Sequence, residues 1–197
     1  SMLKLANFYR RKLNLKVIGV TGSCGKTSTK DLIAAVLSTK YNVFKTEGNF
    51  NSEIGLPLMI LQLTSEHDVA VLEMGMSDLG EIKRLAKAAE PDMAAITNIG
   101  LSHLENLKTQ DNILKAKMEI TEYFTKDNIL VVNAEDERLK NLSSNDYKIE
   151  KIGYNHEYDV YASNIILRED SVKFTANCWN DKYDFELPMA GKHNVLN

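Results

Sequence analysis

Cysteine is scarce: Cys24 and Cys178 are the two in a chain of 197 residues. Two thiols in a chain this size do not make a disulfide scaffold, so the reduced cytosol is the expected setting. Long apolar runs are missing as well. None approaches the ~20 residues that a membrane-spanning helix needs. The N-terminal stretch SMLKLANFYRRKLNLK lacks an apolar core segment, so no signal peptide is expected. Neither sign of charge is in excess. The 24 basic and 27 acidic residues are well mixed, for a net charge of -3, and no basic stripe points to nucleic acid as a partner. There is no internal repeat and no low-complexity segment. What remains, 44% hydrophobic, is enough for one full core.

Apolar periodicity then predicts the elements. Strands are expected over 16–20, 41–45, 67–75, 92–100 and 128–136, and helices over 27–38, 56–62, 79–89 and 111–124. A further helix is expected from 136 to about Leu142. Alternation of this kind predicts an α/β fold with a mostly parallel sheet and helices on both faces. After residue 147 the pattern changes to consecutive strand-like runs, YKIEKIGY, DVYASNIIL, SVKFTANCW and KYDFELP, which predict a small antiparallel addition near the C-terminus. Ser1 ahead of Met2 reads as the scar of a tag, and residues 1–15 as tag remnant and linker between domains. The last residues, LPMAGKHNVLN, read as the start of a helix that is cut, so a longer natural chain is expected.

Ligands of open α/β sheets bind beyond the carboxyl ends of the strands. Polar clusters fall at four such ends: 21–28, 46–51, 73–78 and 97–105. The first is VIGVTGSCGKTSTK. The common phosphate loop reads G-x-x-x-x-G-K-[ST], which would put a glycine at Val20; Gly19 stands one residue early. The surroundings still predict a phosphate loop. A buried strand precedes Thr21, Gly22, Ser23, Cys24 and Gly25, and an amphipathic helix starts near Lys26. N–H groups and the helix N-terminus favour an anion there. Lys26 would reach β- and γ-phosphate, and the Thr27 hydroxyl would face Mg²⁺. The plainer reading of Cys24 is a small filler.

Four other places carry candidate chemistry. Glu73 closes a buried strand, where a phosphate-loop protein needs an acid near its metal. His103 follows another strand toward the same corner, and neutral imidazole is a competent metal ligand. Lys117 shares a helix face with Ile113, Ile120 and Phe124. It either snorkels to the edge or turns inward with its pKa lowered by desolvation. In the second case a neutral amine near a metal would take up CO₂ as a carbamate. Asn49 and Asn51 are either turn-makers or substrate-facing donors.

Together these residues resemble the Mur ligase family, which builds the peptide of bacterial peptidoglycan. The loop has the form G-x-T-G-[ST]-x-G-K-T with its early glycine, and TEGNFNSEIGLP, LEMGMSDLGEI, PDMAAITNIGLSHLE and AKMEI follow in the family's order, over 16–197. The resemblance implies a central ATP-binding domain over 16–197, with the UDP-sugar domain and the C-terminal domain lying outside this chain. It implies ATP and two Mg²⁺. Lys26 would steady the γ-phosphate, Thr27 and Glu73 hold the first ion, His103 help hold the second, and Lys117 become carbamylated. Asn49 would face the reacting groups, and Asn194 and Asn197 the adenine. Within the family the strings are most similar to the branch that adds D-Ala-D-Ala to UDP-MurNAc-tripeptide, with a monomer expected. A ligase adding a single amino acid and a phosphate-loop module without catalysis are the alternatives. A GTPase would need N-K-x-D, and VVNAED has no lysine there.

Overall fold

The computed structural model describes residues 1–102 and 104–197; His103 and the side chain of Leu104 lie outside the described residues. Residues rich in valine, isoleucine and alanine form the parallel strands: β1 (Lys16–Thr21), β2 (Val43–Lys45), β3 (Val69–Glu73), β4 (Met93–Ile96), β5 (Ile129–Asn133) and β6 (Lys148–Gly153). Strands β7 (Val160–Leu167), β8 (Val172–Cys178) and β9 (Asp181–Leu187) extend the same sheet. Its order is β2-β3-β1-β4-β5-β6-β7-β8-β9. Since β1 lies between β3 and β4, its carboxyl end is a switch point of the kind where such sheets bind ligands.

The sheet is mostly parallel, as expected, with its antiparallel part beginning one strand later than the sequence suggests. Strand β6 pairs parallel with β5, and β7 pairs parallel with β6; only β7–β8 and β8–β9 are antiparallel. The helix expected over 136–142 is not formed, and residues 134–141 are turns and bends instead. Side chains there bond the nearby backbone in place of a helical ladder. Asn133 Oδ1 accepts from the Glu135 N–H at 3.0 Å, and Asp136 Oδ1 from the Arg138 N–H at 2.9 Å.

Helices cover the two faces unequally. On one face α1 (Met2–Arg10), α3 (Gly55–Ile60), α4 (Glu81–Ala89) and α6 (Gln110–Met118) close the main core over Val17, Ala70, Leu72, Ala94, Ile96, Leu130 and Val132. A 3-10 turn, Glu119–Thr121, ends α6 early and buries Ile120. The short α5 (Leu104–Leu107) leads into it. On the other face α2 (Lys26–Leu37) packs over Val20, Val69 and Val71. The stretch expected as linker contributes α1, which docks on α3 and α4. Its Asn7 Nδ2 donates to Lys87 O at 2.7 Å and its Arg10 Nε to Ala89 O at 2.9 Å. These bonds satisfy carbonyls that the end of α4 leaves open.

The early glycine has a packing explanation. A Cβ at Gly19 would stand 3.0 Å from Ile120 Cδ1 and 3.4 Å from Met74 Cε. Gly19 is thus a strand residue that admits the 3-10 turn carrying Ile120, not a member of the phosphate loop. Gly19→Val should destabilise the fold by about 1–3 kcal/mol through overpacking, measured by urea unfolding. Adding Ile120→Val, which removes the opposing Cδ1, should restore part of the loss. Equal stability of Gly19→Val and the parent would refute this account.

Candidate active site

The loop between β1 and α2 is held from below. Thr21 is fully buried and its Oγ1 donates to Met74 O at 2.9 Å. Gly22 is required by a close approach: a Cβ there would stand 1.8 Å from Thr97 Oγ1. The Ser23 N–H donates to Asn98 O at 3.1 Å, and Ser23 Oγ accepts from the Gly100 N–H at 2.8 Å. Gly25, with a left-handed φ of 81°, caps α2 without any side-chain cap bond. The N–H groups of Lys26 and Thr27 therefore open the helix with no intrahelical acceptor. That arrangement suits an anion. Lys26 folds back, its Nζ donating to Gly22 O at 3.0 Å.

Opposite the loop, Glu73 ends β3 with only 2% exposure. Each of its oxygens has a donor. Thr27 Oγ1 donates to Oε2 at 2.9 Å and Asn51 Nδ2 to Oε1 at 2.8 Å. The Glu73 N–H donates to Thr46 Oγ1 at 2.9 Å, and Thr46 O accepts from Lys30 Nζ at 2.7 Å. So Lys30, itself 3% exposed, anchors the start of the 46–51 loop that delivers Asn51. A hydroxyl and a carboxylate side by side are hard oxygen donors of the kind Mg²⁺ takes. Two protein ligands also leave room for the waters and phosphates that Mg²⁺ keeps. No group of three acidic, histidine or cysteine side chains suited to a metal occurs among the described residues.

Lys117 is drawn inward. It sits on α6 at 2% exposure, in line with Ile113 and Ile120, both at 0%. Burial, with the positive charge of Lys26 acting in the same direction, lowers its pKa to about 7. A neutral amine near pH 7 is thereby available. Two cavities meet here. One, of about 380 Å³, is lined by Ser23–Ser28 with Gly48, Asn49, Asn51 and Glu73. The other, of about 230 Å³, is lined by Gly22, Lys26, Asn51, Ser52, Gly75, Met76, Ser77, Glu81 and Lys117. Lys26 and Asn51 line both, so the two cavities adjoin.

On the far side of the loop an apolar groove of about 500 Å³ runs along α2 and strands β4 to β6. Asn194 and Asn197 line it together with Thr29. Asn194 is 6% exposed; its Nδ2 donates to Ala190 O at 2.8 Å, and its Oδ1 accepts from Asn197 Nδ2 at 3.1 Å. The Thr29 hydroxyl is buried with no hydrogen-bond partner.

The structure thus gathers Lys26, Thr27, Glu73, Lys117 and Asn49 at one corner, and Asn194 and Asn197 beside it. Cys24 is exposed at the lip. His103 lies outside the described residues. Sequence reasoning weighed Asn51 only as a turn-maker or substrate donor and passed over Lys30, Thr46 and Asn98. The i, i+4 spacing of Lys26, Lys30 and Ala34 was the signal available for Lys30.

Burial of Lys117 has a measurable cost. Its folded pKa, about 7, lies below its unfolded value of 10.5. Between those values the unfolded chain binds more protons, so this residue makes stability rise with pH over that window and stop rising above it. Below about 7 the buried ammonium costs most. Lys117→Met should therefore melt higher than the parent at pH 6, with the gap narrowing toward pH 10. A constant gap in calorimetry would show that the amine is not desolvated.

The sequence profile of the Mur ligase middle domain matches residues 20–197. The chain is 43% identical over 197 residues to the UDP-N-acetylmuramoyl-tripeptide–D-alanyl-D-alanine ligase of Bacillus subtilis, covering all of this chain and 42% of that protein. It is 34% identical to the Escherichia coli ligase of the same name, covering 98% of this chain and 44% of that one. The crystal structure of MurF ligase from Thermotoga maritima in complex with ADP superposes with a TM-score of 0.89 at 33% identity, over 99% of this chain and 46% of that one. The chain spans less than half the length of each of these relatives. With this match over residues 20–197 and 43% identity to one relative across the whole of this chain, the chain belongs to the Mur ligase family, as its middle domain.

Proposed function

We propose that this chain is the nucleotide-binding part of an ATP-dependent ligase that adds D-Ala-D-Ala to UDP-MurNAc-tripeptide. The observation that carries the reading is the convergence of Lys26, Thr27, Glu73 and Lys117 on two adjoining cavities, in a chain 43% identical to a ligase of that name. The UDP-sugar and the dipeptide would be held by parts of the protein outside this middle domain. The setting we assign is the bacterial cytoplasm, and the working unit a monomer. No helix among the described residues is long and apolar enough to cross a membrane.

In the reaction proposed, a carboxylate oxygen of the UDP-MurNAc-tripeptide attacks the γ-phosphorus of ATP. The bond to the β-phosphate oxygen breaks and ADP leaves with its electrons. The amine of D-Ala-D-Ala then attacks the carbonyl carbon of the acyl phosphate, phosphate departs, and the amine proton is lost. The protein's work is positioning and neutralising charge. The open N–H groups of Lys26 and Thr27 and the Lys26 ammonium face the triphosphate. Thr27 and Glu73 would hold one Mg²⁺, His103 would help hold a second, and the ions would neutralise phosphate charge. Lys117 is placed to add its Nζ lone pair to CO₂, losing a proton and becoming an N-carboxylate. Asn49 faces the reacting groups. The adenine fits the groove beside Asn194, Asn197 and the unpartnered Thr29 hydroxyl.

The test uses the longer protein that carries this chain. Phosphate release from Mg-ATP should need UDP-MurNAc-tripeptide and D-Ala-D-Ala together. Release with the dipeptide precursor and a single amino acid would move the protein to another branch of the family, and release with neither pair would refute a ligase. Lys26→Ala should lower turnover by ~100-fold or more, because one positioned donor to developing charge is worth that much. Glu73→Gln keeps the Asn51 and Thr27 contacts in shape yet removes the charge. It should raise the Mg²⁺ concentration needed for half-maximal rate. An unchanged Mg²⁺ requirement would remove Glu73 from the metal site. The 197-residue chain alone should not ligate.

A further inference from the structure

The loop that follows β4 grips the phosphate loop through one side chain. Asn98 Oδ1 accepts from the Cys24 N–H at 3.0 Å, and Asn98 Nδ2 donates to Cys24 O at 3.0 Å. A side-chain amide thus pairs with both polar backbone groups of one residue, as a neighbouring strand would. Two further bonds tie the same segments. The Ser23 N–H donates to Asn98 O, and the Thr97 hydroxyl donates to Cys24 O. These contacts bridge 74 residues of chain. They also have a consequence for the ligand. With the N–H groups of Ser23 and Cys24 bonded inside the protein, the N–H groups at the start of α2 are among the donors left to a ligand.

We propose that Asn98 is the positioning residue of the phosphate loop. It fixes Cys24 so that the N–H groups of Lys26 and Thr27 meet the phosphates of the bound nucleotide without rearrangement. The role rests on the nucleotide-binding reading above. A loop held in its binding shape before the ligand arrives saves the cost of ordering it on binding. Such a saving is shared by the bound ground state and the transition state. Its loss should therefore appear in KM for ATP and leave kcat little changed. Lys26, which faces charge that develops during transfer, should show the opposite pattern.

The experiment measures KM for ATP and kcat for phosphate release in the longer protein, for the parent, Asn98→Ala and Lys26→Ala. Asn98→Ala removes both amide bonds. The expected result is a KM for ATP raised about tenfold or more, with kcat near the parent's. If Asn98 merely supports the fold, a smaller active fraction would lower apparent kcat and leave KM where it was, and that result overturns the proposal. Should Asn98→Ala not fold, Asn98→Asp is read instead, since it keeps the shape and the Oδ1 acceptor while losing the donor to Cys24 O. A KM equal to the parent's in the folded variant overturns the proposal. A parent enzyme whose phosphate release shows no saturation with ATP overturns the nucleotide reading itself, and the proposal with it. The two failures are therefore distinguished by the parent's own curve.

Discussion

The site depends on one carboxylate. Glu73 stands at the end of a strand buried at all five positions, where an unpaired acid would be costly. The structure meets that cost by bringing a donor to each oxygen from a different element, Thr27 from α2 and Asn51 from the 46–51 loop. Both donors sit where they do because other bonds hold their segments. Lys30 Nζ fixes Thr46 O, Thr46 Oγ1 meets the Glu73 N–H, and the Asn51 carbonyl accepts from the Gly75 N–H at 2.8 Å. Gly75 must be small for this, since a Cβ there would stand 2.9 Å from Asn51 Oδ1. Removing one member leaves buried polar groups unmet, which is why the arrangement behaves as a unit.

Lys117 violates the rule that an amphipathic stripe is apolar, and the violation is informative. A lysine at that position gives up hydration that leucine or methionine would not have to give up. The protein accepts that cost at a point lining the same cavity as Lys26 and Asn51. Two lysines converging on one cavity repel, and the repulsion adds to desolvation in lowering the pKa of Lys117. In the function proposed above, the charge of a triphosphate would meet this crowding of positive groups.

How much of this was legible in the sequence follows from the range of the interactions. The alternation of strands and helices up to residue 133 is a local pattern and was readable. The spacing of Ile113, Lys117 and Ile120 marked a lysine in an apolar stripe but left open whether it snorkels or turns inward; its burial decides for the second. The turns at 134–141 were not, because Asn133 and Asp136 decide them through bonds to adjacent backbone that apolar periodicity does not register. The parallel pairing of β7 with β6 was hidden for a related reason. Without a helix between them those two strands look like a hairpin, and only the path of the intervening turns makes them parallel. Asn98 and Thr46 act on backbone groups of distant segments, and a sequence carries no mark of such a partner. Gly19 was misleading in isolation. Its spacing looked like a defective phosphate loop, whereas its reason lies a hundred residues away in Ile120.

The phosphate loop divides the surface into two regions of different character. On one side are Glu73, Asn51 and Lys117, polar and crowded with charge; on the other is a groove lined by Ile18, Leu32, Ile33 and Val131. Asn197 joins them, because its Oδ1 lies where a Cβ on Gly25 would be, 2.6 Å away. A nucleotide suits such a divide, since its base is flat and largely apolar and its phosphates are not. Placed as proposed, with the base in the groove and the phosphates over the start of α2, a nucleotide would direct its terminal phosphate toward Glu73 and Lys117. The reverse placement would bury phosphate charge against apolar side chains without partners, which is prohibitively unfavourable. In the proposed reading polarity alone would therefore orient the nucleotide, before any base-specific contact is considered. The left-handed Gly25 is the pivot of that arrangement, since it both caps α2 and lets Asn197 approach the loop from the base side.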